Sequence, residues 1–141
     1  MGIDKRIVAL GRSRNWDERA KAGRALALHA GDGEADMLLR RLLLDEEDTA
    51  VTLETAEALL HQRSAAGMAL VASAVRSADE QTRSWLETAV HYECMQGWGE
   101  LLAARRLVEH LARGHDDAQV RAGAVQLLRL LDTGHGEAAR P

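Results

Sequence analysis

The segment Val51-Thr-Leu-Glu-Thr-Ala-Glu-Ala-Leu59 is one of four similar copies along the chain, and their pattern indicates the architecture. The other copies are Glu18-Arg-Ala-Lys-Ala-Gly-Arg-Ala-Leu26, Thr82-Arg-Ser-Trp-Leu-Glu-Thr-Ala-Val90 and Val120-Arg-Ala-Gly-Ala-Val-Gln-Leu-Leu128. Their second residues are spaced by 33, 31 and 38 positions. Small or aliphatic residues recur at the fifth or sixth, eighth and ninth places, which is one stripe of a 3.6-residue period. Each copy is therefore predicted to be a helix with a face of small side chains, where another helix can approach closely.

We call these four copies the B segments. A second set of helices is predicted from the sequence between them. The intervening A segments are amphipathic stretches and occupy residues 4–12, 34–44, 65–77 and 100–113. Acidic or amide residues, which cap a helix and complement its dipole, precede the B segments at 15–17, 45–48, 79–80 and 116–117. We expect one domain of alternating A and B helices over residues 1–132. Residues 133–141 have no apolar period and are predicted to form a disordered tail.

The composition agrees with a helical fold. The chain has 141 residues, and its aromatic residues are three Trp, one Tyr and no Phe, whereas sheets favour β-branched and aromatic side chains. Its one proline is the last residue, Pro141, so nothing upstream carries the strongest helix breaker. We expect an all-α protein whose core is filled by Leu, Val and Ala.

The B segments resemble the second helices of HEAT-type repeats, in the short form found in bilin-lyase-like proteins. The shared pattern is roughly Asp followed by Val-Arg-x-x-Ala-Ala-x-Ala-Leu, and residues 117–128 match it best. The resemblance implies a right-handed α–α superhelix, a solenoid of about four HEAT-like helical hairpins. Stacked hairpins of this kind share a continuous core and present their B helices as a curved inner surface. Such repeats carry scaffolding, inhibition and occasionally catalysis, so the fold alone does not give the function.

Charge and cysteine content exclude several classes of function. Lys and Arg number 18 against 22 Asp and Glu, for a formal net charge of −4, which disfavours a partner bound by neutralising phosphates. The one cysteine, Cys94, cannot form an intramolecular disulfide or a multi-cysteine zinc site. The six histidines show no i, i+4 pairing and no His-Glu-x-x-His motif. We expect a cytoplasmic protein without a metal, a cofactor or a membrane span.

A binding surface is predicted where the B helices point away from the A helices, at the third, fourth, seventh and eleventh positions of each segment. The side chains that we assign to it are Lys21, Arg24, Glu54, Glu57, His61, Trp85, Thr88, Tyr92 and Gln126. Trp85 and Tyr92 are seven residues apart and so on one side of their helix. Because Trp and Tyr anchor many protein interfaces, this pair is a candidate hot spot if exposed. The alternative is that one of them packs in the core.

Glu87 departs from the repeat, since the other copies have Gly23, Ala56 and Val125 at that place. A buried carboxylate must be paired, and Arg83 and His91 stand four residues to either side of it. The functional interpretation is an acid–base cluster of Glu87 and His91 near Tyr92 and Cys94. The structural interpretation, which we prefer, is an ion ladder within the helix or a contact between neighbouring repeats. Cys94 is expected to be a buried, inert thiol.

Three functions are compatible with these residues. We expect a non-catalytic scaffold, either an adaptor or an inhibitor of the immunity type, that holds a protein or peptide on the B-helix face. The alternative is a small enzyme or biosynthetic accessory protein that uses Glu87, His91 and Tyr92. A distant third is DNA binding, which Lys21 and Arg24 favour and Glu54 and Glu57 oppose. Dimerisation through the exposed ends of the repeat array is also compatible with the sequence.

Overall fold

The structure is a computed structural model that describes residues 3–95 and 98–139, with the side chains of the second range at 99 and 101–132. Over these residues the chain forms eight α-helices, one 3₁₀ turn and no strand. The elements are α1 Lys5–Gly11, α2 Trp16–Leu26, the 3₁₀ turn Ala27–His29, α3 Gly33–Leu43, α4 Thr49–His61, α5 Ala65–Ser77, α6 Glu80–Cys94, α7 Trp98–Gly114 and α8 Ala118–Ala139. Every predicted A and B segment overlaps one of these helices, in the predicted order, which confirms the all-α class.

The end of the chain differs in one respect from the predicted boundary. The helical backbone of α8 continues past Asp132 to Ala139, into the stretch predicted as a tail. The expectation of disorder at 133–141 in solution stays a prediction. No helix within the described ranges combines the length and apolar character that a membrane span requires.

Side-chain caps start the B helices, as the residues before them predicted. Asn15 accepts a hydrogen bond from the backbone N–H of Asp17 at 2.9 Å, and Asp48 accepts one from Ala50 at 2.8 Å. Asp79 accepts one from Thr82 at 2.8 Å. The backbone N–H and the hydroxyl of Thr82 favour the ionised carboxylate and lower the pKa of Asp79.

The core consists of aliphatic side chains from all helices after α1. Its largest fully buried members are leucines and valines, among them Leu39, Leu59, Val90 and Leu127. Of the described aromatic side chains, Trp16, Trp85 and Tyr92 are all exposed. The interior is thus filled without aromatic rings in the described part of the chain, as the composition predicted.

The helices derived from B segments do not all pack in one row. Helix α2 packs against α4, and α4 packs against α6, but α8 packs mainly against α5 and α7 and only slightly against α6. Two residues explain the departure. Gly123 of α8 allows a close approach to the backbone of Ala72 in α5. Glu87 of α6 has the position in its segment that Gly23 has in α2, where Gly23 meets Thr55 of α4. A carboxylate side chain at this position keeps a neighbouring helix at a distance.

Two arginines at the second place of their segments bind the turns that precede them. The Nη1 group of Arg19 donates to the carbonyl oxygens of Ser13 and Arg14, at 3.0 Å each. Arg121 donates in the same way to the carbonyl oxygens of His115 and Asp116, at 2.6 and 3.0 Å. In both cases the acceptors lie six and five residues earlier in the chain. These hydrogen bonds join each turn to the first part of the following helix.

Arg19 also connects two turns of the chain. It is only 7% exposed, and its Nε and Nη2 groups donate to the two carboxylate oxygens of Asp45 at 2.9 and 3.1 Å. This bidentate ion pair raises the pKa of Arg19 and holds the turn before α2 to the turn before α4. Thr52 has the equivalent position in α4, where its buried hydroxyl has no hydrogen-bond partner in the described chain.

Candidate binding face

Helices α2, α4 and α6, from the first three B segments, together present one surface to solvent. It is the B-helix surface that the sequence assigned to binding, and we call it the outer face because its positions are those predicted to point away from the A helices. It consists of three equivalent positions on each helix, at Lys21, Arg24, Leu28, Glu54, Glu57, His61, Trp85, Thr88 and Tyr92. All nine residues are exposed or half-buried. The fourth, seventh and eleventh positions of these B segments thus contact solvent as predicted, whereas the third position of the first segment, Ala20, is fully buried; the role of the exposed residues in binding stays a prediction. Leu28, 67% exposed in the 3₁₀ turn, was not predicted.

The two permanent cations of the outer face, Lys21 and Arg24, each form an ion pair. Lys21 contacts Asp17 on the same helix, with 3.2 Å between Nζ and Oδ2. Arg24 of α2 donates a hydrogen bond to Glu54 of α4. Both cations are thus neutralised by carboxylates of the chain itself, which leaves this face without a basic patch for a nucleic-acid backbone.

A third contact joins α4 to α6. The Nδ1 atom of His61 lies 3.7 Å from the Oε2 atom of Glu93, a residue that the sequence analysis did not assign to the face. Glu93 stands one place beyond the eleventh position, on the side of α6 that contacts α4. The indication in the sequence was the opposition of a histidine and a carboxylate on neighbouring helices at nearly equivalent positions.

Glu57 lies between these contacts and has no ion pair or hydrogen bond of its side chain within the described ranges. Its pKa is raised, first because the half-buried carboxylate loses solvation and then because Glu93 and Glu54 repel its charge. The centre of the outer face is therefore a place where a negative charge is unfavourable and a cation would be favourable.

The two aromatic side chains lie on one flank of α6. Trp85 is 38% exposed and Tyr92 is 60% exposed, and seven residues bring them to nearly the same angle around the helix. Between them, the Thr88 hydroxyl donates to the carbonyl oxygen of Ser84 at 2.9 Å. The aromatic pair is thus accessible, and the alternative that one of the two packs in the core is wrong. The side chain of Trp98 lies outside the described residues.

Gln126 is not part of the outer face. Because α8 packs against α5, this residue lies in a groove between α6 and α8 that is also lined by Arg83, Glu87 and Leu130. The Oε1 atom of Gln126 is buried there without a hydrogen-bond partner in the described chain. The prediction that Gln126 belongs with the residues of the first three B helices is therefore corrected.

The proposed acid–base residues do not converge on one place. Glu87 and His91 line an open depression of about 570 Å³ between α6 and α8, together with Arg83. Tyr92 is not among its lining residues, because a separation of five positions places Tyr92 about 140° around the helix from Glu87. No ion pair within 4 Å joins Arg83, Glu87 and His91 in the described structure, so they form no ladder. Cys94 is buried, as predicted.

Other candidate sites within the described ranges carry little chemistry. No group of three or more His, Cys, Asp or Glu residues there could hold a metal ion. A depression of about 730 Å³ lies between the turns before α4 and α6, and its acidic lining comes from residues such as Asp45, Asp48 and Asp79 that cap helices or bind Arg19. These carboxylates are explained by the fold.

Comparison of the chain with models of protein families, with curated proteins and with solved structures gives no match.

Proposed function

We propose that this protein is a non-catalytic scaffold, an adaptor or an inhibitor, that binds a protein or peptide on its outer face. The observation that carries the proposal is the exposure of Trp85 and Tyr92 on one flank of α6. The exposure of a large aromatic side chain to water is unfavourable, and burial against a partner lowers the free energy. Trp and Tyr are also enriched among the residues that dominate binding energy at interfaces.

The HEAT-like solenoid remains part of this proposal. Two observations support it for the first three hairpins: the row formed by α2, α4 and α6, and the equivalent positions that form the outer face. The shared hydrogen-bond pattern of Arg19 and Arg121 supports a common origin of the first and last B segments. In this arrangement the fourth hairpin closes the core against α5 and leaves the outer face to the first three.

The arrangement of the outer face favours binding over catalysis. Two pairs of polar side chains contact each other across helices, Arg24 with Glu54 and His61 with Glu93. A surface with a defined pattern of polar and charged groups favours specific binding of a partner with the complementary pattern. The residues of the alternative enzymatic interpretation, Glu87, His91 and Tyr92, lie on different flanks of α6.

Site-specific photo-crosslinking tests the proposal. A photoreactive phenylalanine analogue is introduced at Trp85 or Tyr92, and in control variants at Met37, which is 66% exposed on α3. After irradiation in a lysate of the native host, adducts are identified by mass spectrometry. We expect the same partner at positions 85 and 92 and not at position 37. Equal adducts at all three positions, or adducts at position 37 alone, would contradict the proposal.

The partner is then purified, and its affinity is measured by titration calorimetry. Substitution of both Trp85 and Tyr92 by Ala is expected to weaken binding by at least about thirtyfold, the loss typical of an interface hot spot. Met37→Ala serves as the matched control and should change the affinity by less than about twofold. Circular dichroism of each variant verifies that the helices persist.

A further inference from the structure

The outer face has an excess of negative charge at one side. Its own carboxylates are Glu54 and Glu57, and those of Asp17 and Glu93 adjoin it, whereas its permanent cations are Lys21 and Arg24. Lys21 is paired with Asp17, and Arg24 with Glu54. The two remaining carboxylates, Glu57 and Glu93, belong to α4 and α6, and among the residues that the structure describes only the exposed imidazole of His61 approaches one of them.

The exposed aromatic side chains border this negative charge. Tyr92 precedes Glu93 directly, and Trp85 stands eight residues before Glu93, so both aromatics lie about 80° to 100° around α6 from the carboxylate that faces α4. A guanidinium group stacks on aromatic rings and donates hydrogen bonds to carboxylates. Aromatic rings beside carboxylates that no Lys or Arg of the described chain contacts are therefore complementary to arginine more than to any other side chain.

Building on the function proposed above, we infer that the outer face binds a positively charged segment of a partner protein. An arginine of that segment lies at the seam between α4 and α6, with its guanidinium group toward Glu57 and Glu93 and its stem toward Tyr92. Neighbouring apolar side chains of the segment cover Trp85. The raised pKa of Glu57 agrees with this arrangement, because an added cation would relieve the repulsion that Glu54 and Glu93 exert on it.

Fluorescence anisotropy with labelled nonapeptides tests the inference. The probes alternate glycine with arginine, lysine or glutamate. We expect the arginine peptide to bind more tightly than the lysine peptide, and no binding of the glutamate peptide. The double variant E57Q/E93Q should weaken binding of the arginine peptide by about tenfold, as expected for the loss of a charge-assisted hydrogen bond. W85A/Y92A should reduce the preference for arginine over lysine.

The matched control removes the same two charges elsewhere. The variant E46Q/D116N changes exposed carboxylates in the turns before α4 and α8 and should alter affinity by less than about twofold. An equal loss in both double variants would show only general attraction to an acidic protein and would overturn the inference. Failure of the arginine peptide to bind would overturn it as well.

The outcomes separate this inference from the proposed function. If a partner crosslinks at Trp85 and Tyr92 but binds E57Q/E93Q as tightly as the unaltered chain, the face is a binding site and the inferred basic segment is wrong. If no partner crosslinks at these positions, the proposed function itself fails. A concentration-dependent dimer that E57Q/E93Q dissociates in sedimentation would assign the basic segment to a second copy of the chain, and would overturn the inferred partner.

Discussion

Gly123 of α8 lies directly against the carbonyl group of Ala72 in α5, so a Cβ atom at position 123 would overlap the carbonyl oxygen and stand 3.1 Å from the Cα atom of Ala72. The contact is between two backbones and has no flexible side chain that could move away. It explains how α8 comes to pack against α5, and it leaves the groove between α6 and α8 open. The close backbone contact of α8, the helix of the last B segment, is thus with an A helix.

Replacement of Gly123 by Ala is expected to destabilise the protein by about 3 kcal/mol, because α5 and α8 must separate to accept the methyl group. Urea unfolding followed by circular dichroism measures the change. Gly99→Ala is the matched control, since a Cβ atom at Gly99 would meet nothing within 4 Å and alanine has the higher helix propensity. A Gly123→Ala variant as stable as the Gly99→Ala variant would contradict the close packing of α8 on α5.

Gly23 and Thr55 are expected to be energetically coupled. A Cβ atom at Gly23 would overlap the hydroxyl of Thr55 and lie 3.1 Å from its Cβ atom, so Gly23→Ala should cost about 2 kcal/mol. The hydroxyl of Thr55 is buried without a hydrogen-bond partner in the described chain, so Thr55→Ala removes a polar group that gains little from burial. The double variant should therefore recover about 1 kcal/mol relative to the sum of the two single variants. Additive effects in a double-mutant cycle would exclude the contact.

The contacts of Arg19, which include its ion pair with Asp45, should contribute more to stability than the hydrogen bonds that Arg121 donates to backbone carbonyl groups. Arg19→Met leaves the Asp45 carboxylate, whose side chain is 10% exposed, without its bidentate partner, and we expect a loss of about 3 kcal/mol. Arg121→Met removes hydrogen bonds to two partly accessible carbonyl groups and should cost about 1 kcal/mol. Thermal and urea unfolding of both variants give the comparison. The reverse order of stability would refute the role of Arg19 in holding the turn before α2 to the turn before α4.

Glu57→Gln should make the protein more stable at neutral pH. The pKa of Glu57 is raised in the folded state, so the folded chain holds a proton that the unfolded chain releases between the ordinary value of about 4.3 and the raised value. Stability of the unaltered chain therefore falls as the pH rises through that window, and the glutamine variant avoids the loss. The difference in thermal midpoint should disappear below about pH 4, where both side chains are neutral.

Glu46→Gln, which removes a charge from the exposed turn before α4, controls for the change in net charge in the same pH series. If Glu57→Gln lowers the midpoint at pH 7, or if its benefit persists at pH 3, the ionised Glu57 side chain, with its lost solvation and its repulsion by Glu93 and Glu54, does not destabilise the folded chain.

Helical periodicity was enough to predict all eight helices, because it depends only on which side chains each helix buries. It did not predict where α8 packs, since the same stripe can face either of two neighbours. The indication was the glycine, which stands at the sixth place of the first B segment as Gly23 but at the fourth place of the last as Gly123. That shift of two residues moves the site of close approach by about 200° around the helix.

The candidate face was predictable to a similar extent. The register of the B segments gave the exposure of Trp85, Thr88 and Tyr92, because outward positions repeat with the helix. The contact of His61 with Glu93 depends on how far α4 and α6 are offset, and no pattern within one helix records that distance. The predicted cluster of Glu87 with Tyr92 was wrong because side chains five positions apart point in different directions.

The most direct test of the binding face is nuclear magnetic resonance of the indole N–H groups of Trp85 and Trp16. The partner identified by crosslinking is purified and titrated into the labelled protein. Both indoles are exposed, but Trp16 stands at the first residue of α2, outside the nine positions of the outer face. We predict that the Trp85 resonance shifts or broadens in proportion to bound partner while the Trp16 resonance stays in place. A shift at Trp16 with no change at Trp85 would contradict the account.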